Sequence, residues 1–291
     1  MVIAKYDGKT GLYLVAESID CGGKGSIVSA IKKSERQAGR SIVDLRLLWP
    51  SNEEGRIPDG DDNPLSAIYG TNDIIPDYLK LKRHYEKVTG RGIDVIFTCE
   101  PTWARTGLKI RNKLIHEVKG LDYTARDAAE AYAEDRQELI SKLIRPAILD
   151  GVDVYCERNF CSSVVYQSSM DNPLTVEQIL ALEGNVYAAE NAPHLYVICD
   201  VSAGTAMERK SERDKKDCCK FETLEFQGRI EGKYRAEWLR KLLESHGSMV
   251  VYVNTEKPTR PADTIAASLS LVRMFKAGRL EPGQKFNYDI K

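Results

Sequence analysis

Residues 11–26, with the sequence GLYLVAESIDCGGKGS, decide the fold of this 291-residue chain. The first half is apolar, the second half is rich in glycine, and an amphipathic helical pattern, SIVSAIKKS, begins at Ser26. A glycine-rich turn between a strand and a helix places backbone N–H groups around an anion, at the positive end of the helix dipole. Lys24 adds a charge suited to the β- and γ-phosphates of a nucleotide. The stretch therefore predicts a phosphate-binding loop.

This loop departs from the common pattern G-x-x-x-x-G-K-[ST] at two positions. Ser18 stands where the first glycine belongs, and Gly25 stands where a hydroxyl would coordinate Mg²⁺. A purely structural turn between a strand and a helix would also be rich in glycine. The loop alone therefore leaves both interpretations open.

Five short apolar segments, each next to an amphipathic helical pattern, predict a parallel sheet. They lie at residues 11–17, 92–100, 153–159, 194–201 and 248–255. Apolar strands that alternate with helices are typical of α/β proteins in which helices cover both faces of the sheet. Because no repeat or low-complexity linker divides the chain, we expect a single domain over residues 1–291.

Two segments interrupt the alternation of strands and helices. Residues of about 38–76 are rich in Gly, Pro, Asp and Asn and predict a long loop or insertion. Residues 209–220, RKSERDKKDCCK, are crowded with charge and lie in a segment of about 203–222 after the fourth strand. Such a run is usually a solvated helix face, but this position also suits a lid over bound phosphates.

Composition and charge argue against several classes of protein. The chain has 42 Lys and Arg against 43 Asp and Glu, so it lacks an overall basic field that would attract nucleic acid. Its seven cysteines contain no C-x-x-C pair, and its four histidines lack the spacing of a zinc site. No segment resembles a signal peptide or approaches the ~20 apolar residues of a membrane helix. We expect a cytoplasmic protein with reduced cysteines and no nucleic-acid or membrane partner.

Four stretches, in order along the chain, resemble the thymidylate kinases, the P-loop kinases that phosphorylate dTMP. ESIDCGGKGS at residues 17–26 is similar to the family's EGxDGxGKST, and FTCEPTWARTGLKIR at residues 97–111 is similar to TREPxxxxxGxxIR. Residues 132–167 resemble FAADRxxHxxxxIxPALxxGxxVxxDRYxxSSxAYQ, and residues 200–236 resemble LDVxPExAxxRxxxR followed by FExxxxEFxxRVxxxY. The third stretch is the most specific, because no general rule of folding requires DR, IRPA, ER, SS and YQ together.

The resemblance implies a three-layer P-loop NTPase fold with a five-stranded parallel sheet, helices on both faces and a lid. It implies ATP and Mg²⁺ as cofactors and a homodimer as the assembly. The residues implied to bind ATP are Cys21, Gly22, Gly23, Lys24, Gly25 and Ser26. Asp20 matches an acid near the acceptor phosphate and the metal, although it could simply complement the helix dipole. Arg209 and Arg213, four residues apart, can face the phosphates together from a lid helix.

The resemblance also implies a set of residues around the acceptor nucleotide. Arg158 is implied to hold the 5′-phosphate of dTMP through paired N–H donors. Tyr132 stands where the family stacks an aromatic ring on thymine, and Tyr166 where a tyrosine discourages a 2′-hydroxyl. Taken singly, both tyrosines would more often be core aromatics. The full acceptor set is Glu100, Pro101, Tyr132, Arg136, Arg158, Ser162, Ser163, Tyr166 and Gln167. The catalytic set is Lys24, Asp20, Arg158, Arg209 and Arg213.

Gly25 leaves the metal without its usual hydroxyl ligand. We expect Mg²⁺ to be held by the ATP phosphates, water and a nearby carboxylate, with Asp20 and Glu157 as the candidates. Glu157 stands where the family's DRY motif has Asp, so its reach is longer.

Three functions therefore remain open. The favoured function is ATP- and Mg²⁺-dependent conversion of dTMP to dTDP. A kinase for another nucleoside monophosphate would keep the same fold, and the long segment at 38–76 supports considering it. A nucleotide-binding regulatory protein without catalysis is suggested by Ser18 and Gly25. The residues that argue against it are Lys24, Arg136, Arg158, Arg209 and Arg213.

Overall fold

A computed structural model describes residues 6–46, 75–115, 123–212, 221 and 223–286 of the chain. Within these residues, seven strands form one sheet in the order β2-β3-β4-β1-β5-β6-β7, and every pair of neighbours is parallel. The strands are β1 (Tyr13–Glu17), β2 (Ile42–Asp44), β3 (Val95–Cys99), β4 (Asp153–Glu157), β5 (Leu195–Asp200), β6 (Met249–Asn254) and β7 (Lys285–Phe286).

Helices connect these strands. They are α1 (Lys24–Gln37), α2 (Tyr78–Thr89), α3 (Arg105–Lys109), α4 (Ala125–Leu139), α5 (Arg145–Leu149), α6 (Phe160–Gln167), α7 (Val176–Leu180), α8 (Glu183–Glu190), α9 (Ala203–Ser211), α10 (Leu224–Tyr234), α11 (Glu237–Ser245) and α12 (Pro261–Lys276). A π-helical segment, Ile110–Ile115, extends α3, and a second one, Ile140–Ile144, joins α4 to α5.

The sheet is buried on both faces. Because successive side chains of a strand point to opposite faces, Tyr13 and Val15 enter one apolar core while Leu14 and Ala16 enter the other. The second core is closed by the apolar sides of α1 and α12. The first is closed mainly by α6, α10, α11 and the run from α4 to α5. This arrangement confirms the predicted three-layer α/β fold.

The prediction of five strands was wrong in number. The five expected segments are β1, β3, β4, β5 and β6, and the sheet also contains β2 and β7. The strand β2 lies inside the segment 38–76 that the composition predicted to be a loop. It is three residues long and β7 is two, and strands this short show no periodicity that a sequence pattern could reveal.

The order of the strands determines where loops meet. β1 is the central strand, with β4 on one side and β5 on the other, so crossovers leave it in both directions. Such a switch point opens a crevice at the carboxyl ends of the strands, where ligands of α/β proteins bind. Ala16 of β1 and Cys99 of β3 both pair with Glu157 of β4. The loops that follow these three strands therefore begin side by side.

Parts of the predicted insertion and lid lie outside the described residues. These parts are residues 47–74 of the insertion and residues 213–220 and 222 of the lid. Arg213 is therefore not among the residues that the structure describes. Within the described ranges, no helix is both long enough and apolar enough to span a membrane.

Candidate active site

The loop after β1 turns tightly into α1. Gly23, which precedes the first residue of α1, has φ of 108°, a conformation that favours glycine. A Cβ on Gly22 would lie 1.7 Å from the hydroxyl oxygen of Ser18, so Ser18 fills the space beneath Gly22. Thr255, which follows β6, donates a hydrogen bond to the Gly22 carbonyl at 2.8 Å. The loop therefore keeps the required turn even though Ser18 departs from the common pattern.

Lys24 is the first residue of α1 and lies back across the loop. Its Nζ donates a hydrogen bond to the Ile19 carbonyl at 3.3 Å and lies 3.9 Å from Oδ1 of Asp20. Burial and the nearby charge of Arg158 lower the pKa of Lys24. A phosphate entering the loop would supply an additional negative charge to this desolvated ammonium group.

Asp20 and Arg158 form the centre of the site. The Arg158 guanidinium forms an ion pair with Oδ1 of Asp20 and donates a hydrogen bond to Ser162 Oγ at 3.2 Å. Tyr166 donates a hydrogen bond to Oδ2 of Asp20 at 3.0 Å, and the guanidinium lies 5.0 Å from the centre of its ring. Burial would raise the pKa of Asp20, but the charges of Arg158 and Lys24 hold it below its ordinary value. Four sequence-predicted residues are therefore in direct contact with Asp20 or with its guanidinium partner.

Gln227 of α10 fixes Asp20 from a third side, and the sequence analysis did not identify it. Its Oε1 accepts the backbone N–H of Asp20 at 2.9 Å, while its Nε2 donates to Oδ2 of Asp20 at 3.0 Å. The same Nε2 donates to the Phe221 carbonyl at 2.8 Å. The side-chain amide of Gln227 therefore fixes the positions of both the backbone and the carboxylate of Asp20.

Glu17, at the end of β1, is a second residue that the sequence analysis missed. Its carboxylate is completely buried and accepts the backbone N–H groups of Asn159 and Ser162 at 2.9 and 3.2 Å. It also accepts the hydroxyls of Ser162 at 2.7 Å and Tyr234 at 2.9 Å. Glu17 thus anchors the start of α6 against β1. The only sequence signal for this role is a charged residue that ends an apolar strand.

A second cluster of charge lies deeper, around Arg136 of α4. Its Nε donates to Oε2 of Glu100 at 2.8 Å, and Nη2 donates to Ser163 Oγ at 3.1 Å. A third donor reaches the amide oxygen of Asn185, a residue of α8 that the sequence analysis did not identify. The side chains of Arg136 and Glu100 are only 1% and 2% exposed. Burial raises the pKa of Glu100 to about 7, against the opposing charge of Arg136.

The two clusters are joined through α6. Ser162 faces Glu17 and Arg158, whereas the next residue, Ser163, faces Arg136. At the end of this helix, Gln167 is buried, and its Oε1 has no hydrogen-bond partner among the described residues. Pro101 is buried and its carbonyl accepts a hydrogen bond from Arg111. Tyr132 packs beside a small cluster of Ile110 and Ala128.

Of the two lid arginines, only Arg209 is described. It lies on α9 and donates a hydrogen bond to the carbonyl of Thr255, the residue that also bonds Gly22. The helix that leads into the lid is therefore connected to the phosphate loop through one threonine. The position of Arg213 stays a prediction.

The carboxylate of Glu157 lies beside Gly25. A Cβ on Gly25 would be 3.7 Å from Oε2 and 3.9 Å from Oε1. Oε1 accepts a hydrogen bond from Arg46 at 2.6 Å, while no described residue bonds Oε2. Both oxygens of Asp20 already have protein partners. No group of three or more metal-ligating side chains occurs among the described residues. The arrangement fits a metal held mainly by phosphates and water, with Oε2 of Glu157 as the available protein oxygen.

Comparison with known proteins agrees with this geometry. The sequence model of the family described as thymidylate kinase matches residues 80–263, more than half of the chain. The match covers β3 to β6, with Glu100, Arg136, Arg158 and Arg209, and begins after the phosphate loop.

Individual relatives carry the same description. A thymidylate kinase of Leifsonia xyli subsp. xyli is 32% identical over 182 residues, which are 62% of this chain and 80% of the relative. One of Leptospira borgpetersenii is 33% identical over 149 residues, 51% of this chain and 69% of the relative. One of Shouchella clausii is 29% identical over 175 residues, 59% of this chain and 78% of the relative. With the extent of these matches and the parallel sheet around the loop, the chain belongs to the thymidylate kinase family.

Proposed function

We propose that this protein transfers the γ-phosphoryl group of ATP to the 5′-phosphate of dTMP, giving dTDP and ADP. The observation that carries the proposal is the contact of Arg158 with Asp20, because it places a guanidinium from the loop after β4 directly against the phosphate loop. Family membership supports dTMP as the acceptor. Phosphoryl transfer requires little covalent chemistry from the protein; it requires aligned phosphates and neutralised charge.

On the donor side, the loop and the first turn of α1 hold ATP. Backbone N–H groups at the start of α1 point towards the phosphates, and the helix dipole favours negative charge there. The Nζ of Lys24 moves from the Ile19 carbonyl, a weak partner at 3.3 Å, to the phosphate oxygens. The residues in this role are Cys21, Gly22, Gly23, Lys24, Gly25 and Ser26.

On the acceptor side, Arg158 binds the 5′-phosphate of dTMP. Its guanidinium is balanced by Asp20 before the substrate arrives, so the incoming phosphate takes over a charge partner that is already in place. Tyr166 and Ser162 limit where the guanidinium can move. The pocket for thymine and sugar is formed by Glu100, Pro101, Tyr132, Arg136, Ser162, Ser163, Tyr166 and Gln167.

The metal ion and the lid arginines act on the transferred phosphoryl group. Mg²⁺, when bound, draws charge from the phosphate oxygens. Glu157 would hold the metal, directly or through water, and Asp20 holds Arg158 and Lys24 in place beside it. Arg209 and Arg213 are carried by the lid segment of about 203–222, and a closing lid delivers such charges where negative charge accumulates.

The decisive experiment is a coupled assay of ADP release with ATP against each common ribo- and deoxynucleoside monophosphate. We expect dTMP to give the highest kcat/KM, and we expect EDTA to abolish turnover. A preference for another monophosphate would replace dTMP by that acceptor while keeping the fold. Binding of ATP without metal-dependent transfer to any monophosphate would favour a regulatory nucleotide-binding protein.

We further propose a single kinase domain that acts as a homodimer in the cytoplasm. The family resemblance supports the dimer and the cytoplasmic location, and no disulfide joins any two of the five described cysteines. Light scattering of the purified protein at several concentrations should give twice the mass of the 32.7 kDa chain. A monomer at every concentration would contradict the proposed assembly.

A further inference from the structure

Arg46, two residues after the end of β2, is a partly buried cation that has no role in the phosphate loop, the acceptor pocket or the lid. Its guanidinium is held on three sides. Nε and Nη2 donate to the two oxygens of Asp44 at 3.0 and 2.8 Å, and Nη1 donates to Oε1 of Glu157 at 2.6 Å. The guanidinium also lies 5.5 Å from the centre of the Phe97 ring. A planar group with these partners has a single orientation.

Asp44 is itself fixed. It is buried, it lies at the end of a strand, and Lys32 of α1 reaches its Oδ2 at 3.0 Å. Two cations and two carboxylates, those of Lys32, Arg46, Asp44 and Glu157, therefore form a neutral cluster between β2, α1 and β4. This cluster connects α1 to the end of β4 at the level of Gly25.

The cluster restricts the orientation of the Glu157 carboxylate. Both carboxylate oxygens lie beside Gly25, Oε2 at 3.7 Å and Oε1 at 3.9 Å from the position of a Cβ there. Because Arg46 occupies Oε1, Oε2 is the oxygen that has no described partner. The gap at Gly25 is the place where a hydroxyl at position 25 would meet the metal. A carboxylate that is oriented by a second group binds a metal more tightly than one that rotates freely.

We propose that Arg46 is a positioning residue for the metal-binding carboxylate: through Oε1 it holds Glu157 beside the gap at Gly25 and leaves Oε2 available to the metal. The inference rests on the proposed function, since the metal in question is the one that accompanies ATP. The residue that orders the metal site would thus follow β2, a strand that the sequence analysis did not detect.

The structure offers a matched control. Arg40 precedes β2 as Arg46 follows it, and it also joins two carboxylates, Glu35 at 2.9 Å and Asp153 at 2.7 Å. Asp153 is the first residue of β4, whereas Glu157 is the last. Arg40→Gln therefore removes a comparable pair of contacts at the opposite end of the same two strands.

The test measures how much Mg²⁺ tightens the binding of a non-hydrolysable ATP analogue. Calorimetry in EDTA and in Mg²⁺ gives this factor for the full-length wild type, Arg46→Gln and Arg40→Gln, with thermal unfolding recorded for each. We expect Arg46→Gln to reduce the factor by about 10-fold with unchanged affinity in EDTA, as is typical when a group that orients a ligand is removed. Arg40→Gln should leave the factor unchanged, even if its unfolding temperature falls.

An unchanged factor in Arg46→Gln, or a larger one, would overturn the positioning role. A larger factor would mean that the guanidinium competes with the metal. Should Arg46→Gln fail to fold, Arg46→Lys keeps the charge but not the fork, and we expect a smaller reduction in the same direction. A wild type with no Mg²⁺-dependent tightening would also overturn the inference. Failure of the proposed function would show separately, as absent phosphoryl transfer to dTMP in the coupled assay.

Discussion

The charged groups around the phosphate loop and those of the deeper cluster at Arg136 differ in their exposure to solvent. Around the loop, the side chains of Lys24, Asp20 and Arg158 each keep 13–16% of their surface exposed. In the deeper cluster, Arg136 and Glu100 are almost completely desolvated and paired with each other. Charges that must exchange a protein partner for a phosphate have to remain accessible, whereas charges that shape a pocket gain rigidity from burial. The difference separates residues that act on substrate from residues that hold the site in shape.

The largest expected effects test the accessible charges. Lys24→Ala and Arg158→Ala should each reduce turnover by about 10²–10³, the usual consequence of losing a charge-assisted contact in a closed site. Lys24→Ala should weaken ATP binding and spare dTMP binding, and Arg158→Ala should do the reverse. Steady-state kinetics with each substrate varied in turn measures both effects.

Arg126→Ala provides the control for these variants, because among the described residues Arg126 makes only an exposed pair with Glu130. It should leave both substrates unaffected. Weakened ATP binding with unchanged dTMP binding in Arg158→Ala would remove that residue from the acceptor site.

The next effect tests the buried pair. Arg136→Ala leaves the buried Glu100 without its partner, so that its carboxyl must take up a proton or remain as an unpaired charge, and breaking a buried ion pair in this way costs about 3–5 kcal/mol of unfolding free energy. Arg158→Ala should cost clearly less, since Asp20 keeps hydrogen bonds from Tyr166 and Gln227 and some contact with water. Urea unfolding monitored by circular dichroism compares the two. Equal losses in both variants would abolish the distinction between the two regions.

The same contrast should appear in the pH dependence of stability. Burial raises the pKa of Glu100 to about 7 and, despite hydrogen bonds from Thr102, raises that of Asp135 to about 6. A carboxyl whose pKa is raised on folding contributes stability below its unfolded pKa and loses it as the pH rises through the folded pKa. These two groups should therefore lower the unfolding free energy between about pH 4 and pH 7, by up to ~1.4 kcal/mol per pH unit for each group. The lowered pKa of Asp20 has the opposite sign and acts only in acid, below its ordinary value of 3.8.

Unfolding free energies at pH 5 and pH 7.5 measure this slope. Glu100→Gln cannot titrate, so it should flatten the dependence, whereas the exposed Glu130→Gln should not. A slope that is unchanged in Glu100→Gln would show that Glu100 stays ionised throughout, as its partner Arg136 would favour.

The smallest effects concern Gly25. A serine there meets only the Glu157 carboxylate, at ordinary contact distance, so we expect Gly25→Ser to fold normally. It should lower the Mg²⁺ concentration for half-maximal turnover by about two-fold, equivalent to ~0.5 kcal/mol. Asp20→Asn should raise that concentration and reduce turnover, because it weakens the hold on Arg158 and Lys24. A higher Mg²⁺ requirement in Gly25→Ser would contradict the assignment of this gap to the metal.

The fold was predictable where the chain forms long apolar strands beside periodic helices. Segments such as VIFTC and LYVICD are buried on both faces of the sheet, and burial of that kind leaves a continuous apolar run in the sequence. The strands β2 and β7 left no such run. The single residue Arg46, beyond β2, could therefore not be connected to Glu157 before the sheet order was known.

The site was predictable only where a residue stands in a recognisable motif. Arg158, Asp20 and Ser162 were identified in this way and lie together. Glu17 and Gln227 were missed because their function depends on partners that are distant in sequence, and no pattern of spacing encodes such a distance. The burial of Arg136 was missed for the same reason, since Glu100 and Asn185 come from different parts of the chain.

The hydrogen bonds from α10 to the donor loop determine when that loop is completed as the chain is synthesised. Gln227 bonds a residue 207 positions earlier, and Tyr234 bonds one 217 positions earlier. While a ribosome is still making the segment before α10, the completed loop has neither partner, and Glu17 and Asp20 are left incompletely bonded. Contacts that span such long stretches of chain form late in folding. We therefore expect the ability to bind nucleotide to arise only after α10 has been made, and a truncated chain that stops before α10 should carry a phosphate loop that it cannot use.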